Sequence, residues 1–126
     1  MIRRPAVAGS FYSGDANQLK SDIESFVIKD CKKQAVLGII SPHAGYVYSG
    51  RVAGNLYSRI KIPNTVVILA PNHTGYGMPY SIWPGGLWRT PLGDVEVDEK
   101  IVDELVHVCD LVEKDQEAHL YEHAAE

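Results

Sequence analysis

Apolar residues form two nearly continuous runs along this chain, and each run predicts a buried strand. Residues 36–41 and 65–70 are rich in β-branched side chains and lack polar alternation, a pattern typical of strands that are covered on both faces of a parallel sheet. Residues 49–60 carry apolar positions at helical spacing, so the order strand, helix, strand predicts a right-handed parallel crossover. Gly50 and Gly54 are spaced for close packing of this helix against a sheet.

Helices are expected in three other parts of the chain. Leu19 and Ile23 lie in a helix expected over about residues 15–29. Asp98 is expected to cap a second helix, because an aspartate side chain accepts hydrogen bonds from the first helical N–H groups. A last helix is expected to start near Asp115 and to extend over residues 115–126.

Glycine and proline dominate residues 71–94. A stretch of this length without regular structure is usually functional when it lies inside a compact domain. Short strands are expected near residues 80–83 and 95–97. The remaining residues of the stretch are expected to form turns.

The two strongly indicated strands are too few for a complete sheet, because two strands that are buried on both faces cannot cover each other. We therefore expect an α/β fold with a mostly parallel or mixed central sheet and helices on both faces. Residues 1–126 would be the N-terminal portion of a single domain of this kind. The alternative is a small complete domain that closes its sheet by forming a homo-oligomer, such as a dimer.

Charge, apolar runs and cysteine content indicate which partners and which cellular location to expect. The net charge is −4 and there is no basic stripe, so a nucleic-acid partner is not expected. No run approaches the roughly 18 apolar residues of a membrane span, so a membrane partner is not expected either. Cys31 and Cys109 are isolated and fit reduced thiols better than a disulfide framework. These features predict a cytoplasmic protein.

Two short segments, residues 39–46 and 68–76, repeat one pattern. Each is an apolar run that stops at a proline and continues with a histidine, a small residue, a glycine and a tyrosine, and the second copy has one extra residue, Asn72. His43 and His73 are 30 positions apart, about one strand–helix–strand unit, which would bring them to the same sheet edge where ligands bind. Because imidazole is the commonest metal ligand, the pattern predicts a shared metal site. The alternative is that each histidine caps a strand end by hydrogen bonding.

A second histidine pair lies near the end of the chain. His119 and His123 are separated by four positions and would share one face of the last predicted helix. That spacing can chelate a metal, although it is also common among ordinary surface histidines. Glu122 and Glu126 have the same spacing and are expected to form a solvated face.

Several motifs along the chain carry a family resemblance. They are RPAVAGSFY at residues 4–12, SPHAGY at 41–46, APNHTG at 70–75, WRTPLG at 88–93, and AH…EH at 118–123. Together, and in this order, they resemble the Memo family, also called the AmmeMemoRadiSam system protein B family.

The resemblance implies a fold like that of the class III extradiol dioxygenases, which hold non-haem Fe(II) with two histidines and a carboxylate. His43 and His73 correspond to the metal-ligating histidines of the family, for Fe(II) or for copper or zinc. His123 and His119 correspond to pocket histidines and are candidates for acid/base catalysis or substrate orientation. Family members are about twice as long, and a third ligand, a cysteine in the family pattern, is expected in the C-terminal half. Ala124 stands where the family motif has serine.

Two classes of function follow from the resemblance. One is a metal-dependent, dioxygenase-like enzyme acting on a small molecule. The other is a non-enzymatic binding or adaptor module that holds a peptide or small ligand in the same pocket. The family name also suggests a radical-SAM partner. Because half of the family pattern is missing, a chain of this length is also expected to have little activity by itself.

Overall fold

A computed structural model describes all residues from 1 to 126, and they form two compact units. The helical unit comprises Ala8–Ile68, and the terminal unit comprises Met1–Val7 together with Leu69–Glu126. The chain contains four helices and two small sheets, one of which is mixed. The predicted α/β class is therefore confirmed.

Two helices, α1 (Ala16–Phe26) and α2 (Tyr46–Ser58), pack together in the helical unit. Both predicted helices are therefore confirmed, although α2 begins three residues earlier than expected. The glycines of α2 face α1, since a Cβ at Gly50 would lie 2.5 Å from the Phe26 ring and one at Gly54 would lie 2.6 Å from the Phe26 carbonyl oxygen. The glycines thus allow close helix–helix packing, and the expectation that they pack against a sheet is wrong.

Neither residues 36–41 nor residues 65–70 form a strand, so the two predicted buried strands are wrong. Many of their apolar side chains are exposed, with Leu37 and Ile40 almost fully accessible. A strand needs hydrogen-bonded neighbours, and the structure pairs neither run with one. An isolated parallel bridge joins Gln34 and Ile60, on either side of α2 and outside both predicted strands.

The terminal unit contains five short strands and two helices. These elements are β1 (Ile2–Arg3), β2 (Ser81–Ile82), β3 (Leu87–Thr90), β4 (Gly93–Glu96), α3 (Glu99–Val108), β5 (Glu113–Lys114) and α4 (Glu117–Leu120). In the mixed sheet β1 pairs in parallel with β3, and β3 pairs antiparallel with β4. In the second sheet β2 pairs in parallel with β5. The register of β1 and β3 places Arg3 opposite Trp88, which positions the site described below.

Several expectations for this unit are confirmed. Strands β2 and β4 match the short strands expected near residues 80–83 and 95–97. Asp98 caps α3, because its carboxylate accepts a hydrogen bond from the N–H of Ile101 at 3.3 Å. Strand β3 was not predicted, because turn-forming residues on both sides of it obscure its pattern.

The predicted helix over residues 115–126 is wrong, because α4 ends at Leu120. In a longer helix the carbonyl of His119 would accept a hydrogen bond from the N–H of His123. That carbonyl instead accepts from the Arg3 guanidinium, and the His123 N–H donates to the Glu122 side chain. A buried charged group therefore ends the helix.

Each unit has a small apolar core. The buried apolar side chains are Leu19 and Ile60 in the helical unit, and Trp83, Val102 and Ala118 in the terminal unit. No helix combines the length and the apolar character that crossing a membrane requires.

Candidate functional site

Arg3 is the most buried large side chain of the structure, with an exposed fraction of 0%. Its Nε and Nη2 atoms each donate to the carbonyl of His119 at 3.1 Å, and Nη2 also donates to the carbonyl of Glu122 at 2.5 Å. Its Nη1 atom pairs with the carboxylate of Glu126, and the guanidinium lies 4.6 Å from the ring centre of Trp88. Arg3 in β1 therefore holds the backbone of residues 119–126.

Glu126 completes this network from the other side. Its carboxylate also accepts from the backbone N–H of Ala6 at 2.7 Å and from that of Val7 at 3.1 Å. With these donors and Arg3, the side chain is only 2% exposed. The prediction of a solvated face for Glu126 is therefore wrong, because the carboxylate is buried against the opposing cation.

Glu122 is also buried, with 7% of its side chain exposed, so the solvated-face prediction is wrong here too. Its carboxylate accepts from the backbone N–H of His73 and lies 2.9 Å from Nδ1 of the same residue. It also accepts from the backbone N–H of His123 at 2.9 Å and of Ala124 at 3.0 Å. Burial acts to raise the pKa of Glu122, but the hydrogen bonds from His73 and Ala124 outweigh it and lower that pKa to about 2.

Two of the predicted site histidines meet beside this carboxylate. The rings of His73 and His123 are stacked, with centroids 4.5 Å apart and an angle of 22° between their planes. Nδ1 of His123 lies 3.3 Å from the Glu122 carboxylate. His73 remains 44% exposed and His123 22% exposed, so a ligand can reach both rings.

His119 has different surroundings from His123. Its ring meets Trp83 and Trp88 edge to face, with centroids 6.0 and 6.1 Å apart. Its Nε2 atom lies 3.2 Å from the hydroxyl of Ser81. Burial is the main cause of its lowered pKa. Because α4 ends between the two histidines, the prediction that His119 and His123 share one helix face is wrong.

His43 lies in the helical unit, shortly before α2 begins at Tyr46, and its side chain is exposed. The predicted pairing of His43 with His73 stays a prediction. The same holds for the third metal ligand expected from a C-terminal half.

Asn72, the extra residue of the second motif copy, shapes the backbone next to His73. Its Oδ1 atom accepts from the backbone N–H groups of Thr74 and Gly75 and from the Thr74 hydroxyl, at 2.8 to 3.1 Å. Its amide nitrogen donates to the carbonyl of Tyr76 at 2.8 Å. This turn, built by an asparagine side chain, places His73 beside Glu122.

Three residues of this arrangement, Arg3, Glu122 and Glu126, were not predicted from the sequence as part of a site. Arg3 gives no periodic signal, because it lies in a two-residue strand near the start of the chain. Glu122 was assigned to solvent through its spacing from Glu126 in a helix that does not form. The available signal was its position next to His123, since carboxylates often accompany ligand histidines.

Comparison with known proteins agrees with the motifs. A family model described as "Memo-like protein" matches residues 3–126. A "MEMO1 family protein" of Sulfurisphaera tokodaii is 48% identical over 141 aligned residues, and the alignment covers 100% of this chain and 50% of the relative. The corresponding proteins of Metallosphaera sedula and Sulfolobus acidocaldarius are 46% and 44% identical, with the same coverage. The chain therefore spans about half the length of the curated relatives it matches.

Proposed function

Because this chain belongs to the family of Memo-like proteins, we propose that it supplies two ligands, His43 and His73, to a metal site of the dioxygenase-like kind. The two histidines occupy corresponding positions in the two copies of the repeated motif. Fe(II) is the proposed metal, with copper or zinc as alternatives, since imidazole suits all three.

The close approach of His73 and His123 carries this proposal. Their rings are stacked 4.5 Å apart next to a buried carboxylate, and both are partly exposed. An accessible imidazole whose other ring nitrogen contacts a carboxylate has the form of a metal ligand with its supporting partner. The exposure of the His73 ring and its contact with Glu122 therefore fit a ligand of a transition metal.

Each residue has a distinct part in this proposal. A bound metal would supply Lewis-acid or redox chemistry. His123 lies next to His73 without being assigned as a ligand, so it is the candidate to hold or move a proton on a bound substrate. His119, half-buried against two indole rings, is the candidate to support the pocket lining and the orientation of substrate.

Metal content tests the proposal directly. The protein is purified anaerobically without a His-tag, and its metals are quantified by elemental mass spectrometry. We expect His43→Ala and His73→Ala, singly and together, to lose metal that the wild type retains. His107→Ala is the matched control, because it removes an exposed histidine from α3 and should not change the metal content.

The alternative function, a binding or adaptor module, predicts a different result. Equal metal content in the wild type and in the double variant would contradict the metal site and favour that module. The substrate, the radical-SAM partner, a homo-oligomeric state and the cytoplasmic location stay predictions.

A further inference from the structure

The contacts of Glu122 restrict the protonation of the neighbouring His73 ring. Oε1 of Glu122 accepts from two backbone N–H groups, those of His123 and Ala124, and also lies 2.9 Å from Nδ1 of His73. Oε2 accepts from the backbone N–H of His73. Backbone N–H groups can only donate, so both oxygens already serve as acceptors.

A carboxylate with these donors has no proton to give to the imidazole. The hydrogen bond between Glu122 and His73 therefore needs the proton on Nδ1. In the neutral ring the lone pair then lies on Nε2, because only one of the two nitrogens carries a proton. The other tautomer would set the Nδ1 lone pair against a buried carboxylate oxygen.

Arg3 holds the backbone of Glu122. The guanidinium donates to the backbone carbonyl of Glu122 at 2.5 Å and pairs with Glu126. The guanidinium is completely buried, so these contacts are shielded from water. The chain of contacts thus runs from Arg3 through Glu122 to the ring of His73.

We propose that Glu122 is a positioning residue, which holds His73 in the Nδ1–H tautomer and presents Nε2 as the metal-binding atom. The metal-binding part of this inference rests on the function proposed above. The tautomer part concerns only the metal-free protein and can be measured separately.

The first measurement is a long-range ¹H–¹⁵N correlation spectrum of the metal-free protein, recorded above the titration range of histidine. The His73 signals are identified by their loss in His73→Ala. We expect the wild type to show a protonated Nδ1 and an unprotonated Nε2 at His73. A wild-type spectrum with the proton on Nε2 would overturn the inference without any variant.

The second measurement uses Glu122→Gln, which keeps the shape of the side chain. The glutamine oxygen is neutral, and its NH2 group must face at least one backbone N–H that donates to the carboxylate in the wild type. The side chain should therefore accept from Nδ1 more weakly, and we expect the Nε2–H tautomer of His73 to increase. The affinity for Zn²⁺, measured by competition with a chromogenic chelator, should fall about 10–100-fold. Glu117→Gln, an exposed change in α4, is the matched control and should leave both readouts unchanged.

The two proposals fail in different ways. If Glu122→Gln keeps the wild-type tautomer and the wild-type Zn²⁺ affinity, Glu122 has no positioning role, and the metal site can still stand. If wild type and His73→Ala bind Zn²⁺ equally, the metal site is contradicted. A tautomer change in Glu122→Gln would in that case still support the positioning of His73.

Discussion

The two units of this chain are stabilised by different means. The helical unit relies on close contact between α1 and α2, where Gly50 and Gly54 leave room for Phe26. The terminal unit relies on buried charge, with Arg3 and Glu126 almost completely removed from solvent. Apolar contact depends on shape, whereas a buried ion pair depends on every partner being present. We therefore expect the two units to respond differently to the same kind of substitution.

The two copies of the repeated motif also differ from each other, in their backbone conformation. In the first copy, Gly45 caps α2 with an ordinary φ of −53°. In the second copy, Gly75 has a φ of +70°, in a turn closed by Asn72. The same residue types therefore serve different backbones. A positive φ is thus needed at Gly75 but not at Gly45, where a Cβ would instead lie 3.3 Å from the carbonyl oxygen of Phe11.

Removal of Arg3 should have the largest effect on the free energy of unfolding. Arg3→Ala leaves Glu126 buried without its cation and two carbonyls without their donor, so we expect a loss of about 3–5 kcal/mol in the free energy of unfolding. Urea denaturation measures this loss. Hydrogen exchange should show the largest loss of protection in the terminal unit.

Arg4→Ala is the matched control for this change, because Arg4 is the exposed neighbour in sequence. We expect it to change the free energy of unfolding by less than about 0.5 kcal/mol. Similar losses in both variants would contradict the importance of the buried network. Buried charge would then not be what stabilises the terminal unit.

Gly54→Ala tests the helical unit. The new Cβ would lie 2.6 Å from the carbonyl oxygen of Phe26, so α1 and α2 must move apart at a cost of about 1–3 kcal/mol. The better helix propensity of alanine returns about 1 kcal/mol, which leaves a net loss of up to about 2 kcal/mol in thermal or urea denaturation.

Gly38→Ala is the control, because a Cβ there meets no atom within 4 Å. If Gly54→Ala is as stable as Gly38→Ala, the helices are not in close contact at this point. Close packing at Gly54 would then not stabilise the helical unit.

Local patterns in the sequence predicted the elements that depend on local contacts. Asp98 marks the start of α3, and helices α2 and α3 form where the spacing of apolar residues predicted them. Elements that depend on distant partners were predicted poorly. Residues 36–41 have the composition of a strand, but a strand forms only where another strand pairs with it. The early end of α4 depends on Arg3, more than a hundred residues away in sequence.

The candidate site shows the same limit. The motif indicated His73 and His123, and the structure brings their rings together. Glu122 is part of the last motif but was assigned to a solvated face, because its burial depends on how residues 119–126 leave the helical path. The motifs therefore included the two histidines whose rings meet, whereas the groups that contact those rings became visible only through tertiary contacts.

Asn72→Ala should have a smaller effect, because the turn is exposed. The substitution removes the acceptor for Thr74 and Gly75 and the donor to Tyr76. We expect a loss of about 1 kcal/mol in the free energy of unfolding, together with a displaced His73 resonance in the NMR spectrum. An unchanged His73 resonance would show that the turn does not position the ring. The backbone difference between the two motif copies would then have no effect on the histidine of the second copy.

The smallest effect should be a pH dependence due to His119. Burial is the largest cause of its lowered pKa, and it outweighs the opposing influence of Asp115, while Arg3 lowers the pKa further. The folded protein therefore binds a proton at His119 less readily than the unfolded chain, whose histidines titrate near pH 6.5, about the ordinary value. Stability should be unaffected by this group above that pH and should fall as the pH decreases below it.

His119→Gln removes this titration and should make the loss of stability between neutral and mildly acidic pH shallower, by at most about 1.4 kcal/mol per pH unit. Urea denaturation at several pH values measures the slope. His107→Gln, at an exposed position in α3, is the control and should keep the wild-type slope. Equal slopes in all three proteins would mean that His119 titrates alike in the folded and unfolded chains. Any loss of stability of the terminal unit in acid would then come from its carboxylates. Glu122 is one of these, and its pKa is lowered to about 2.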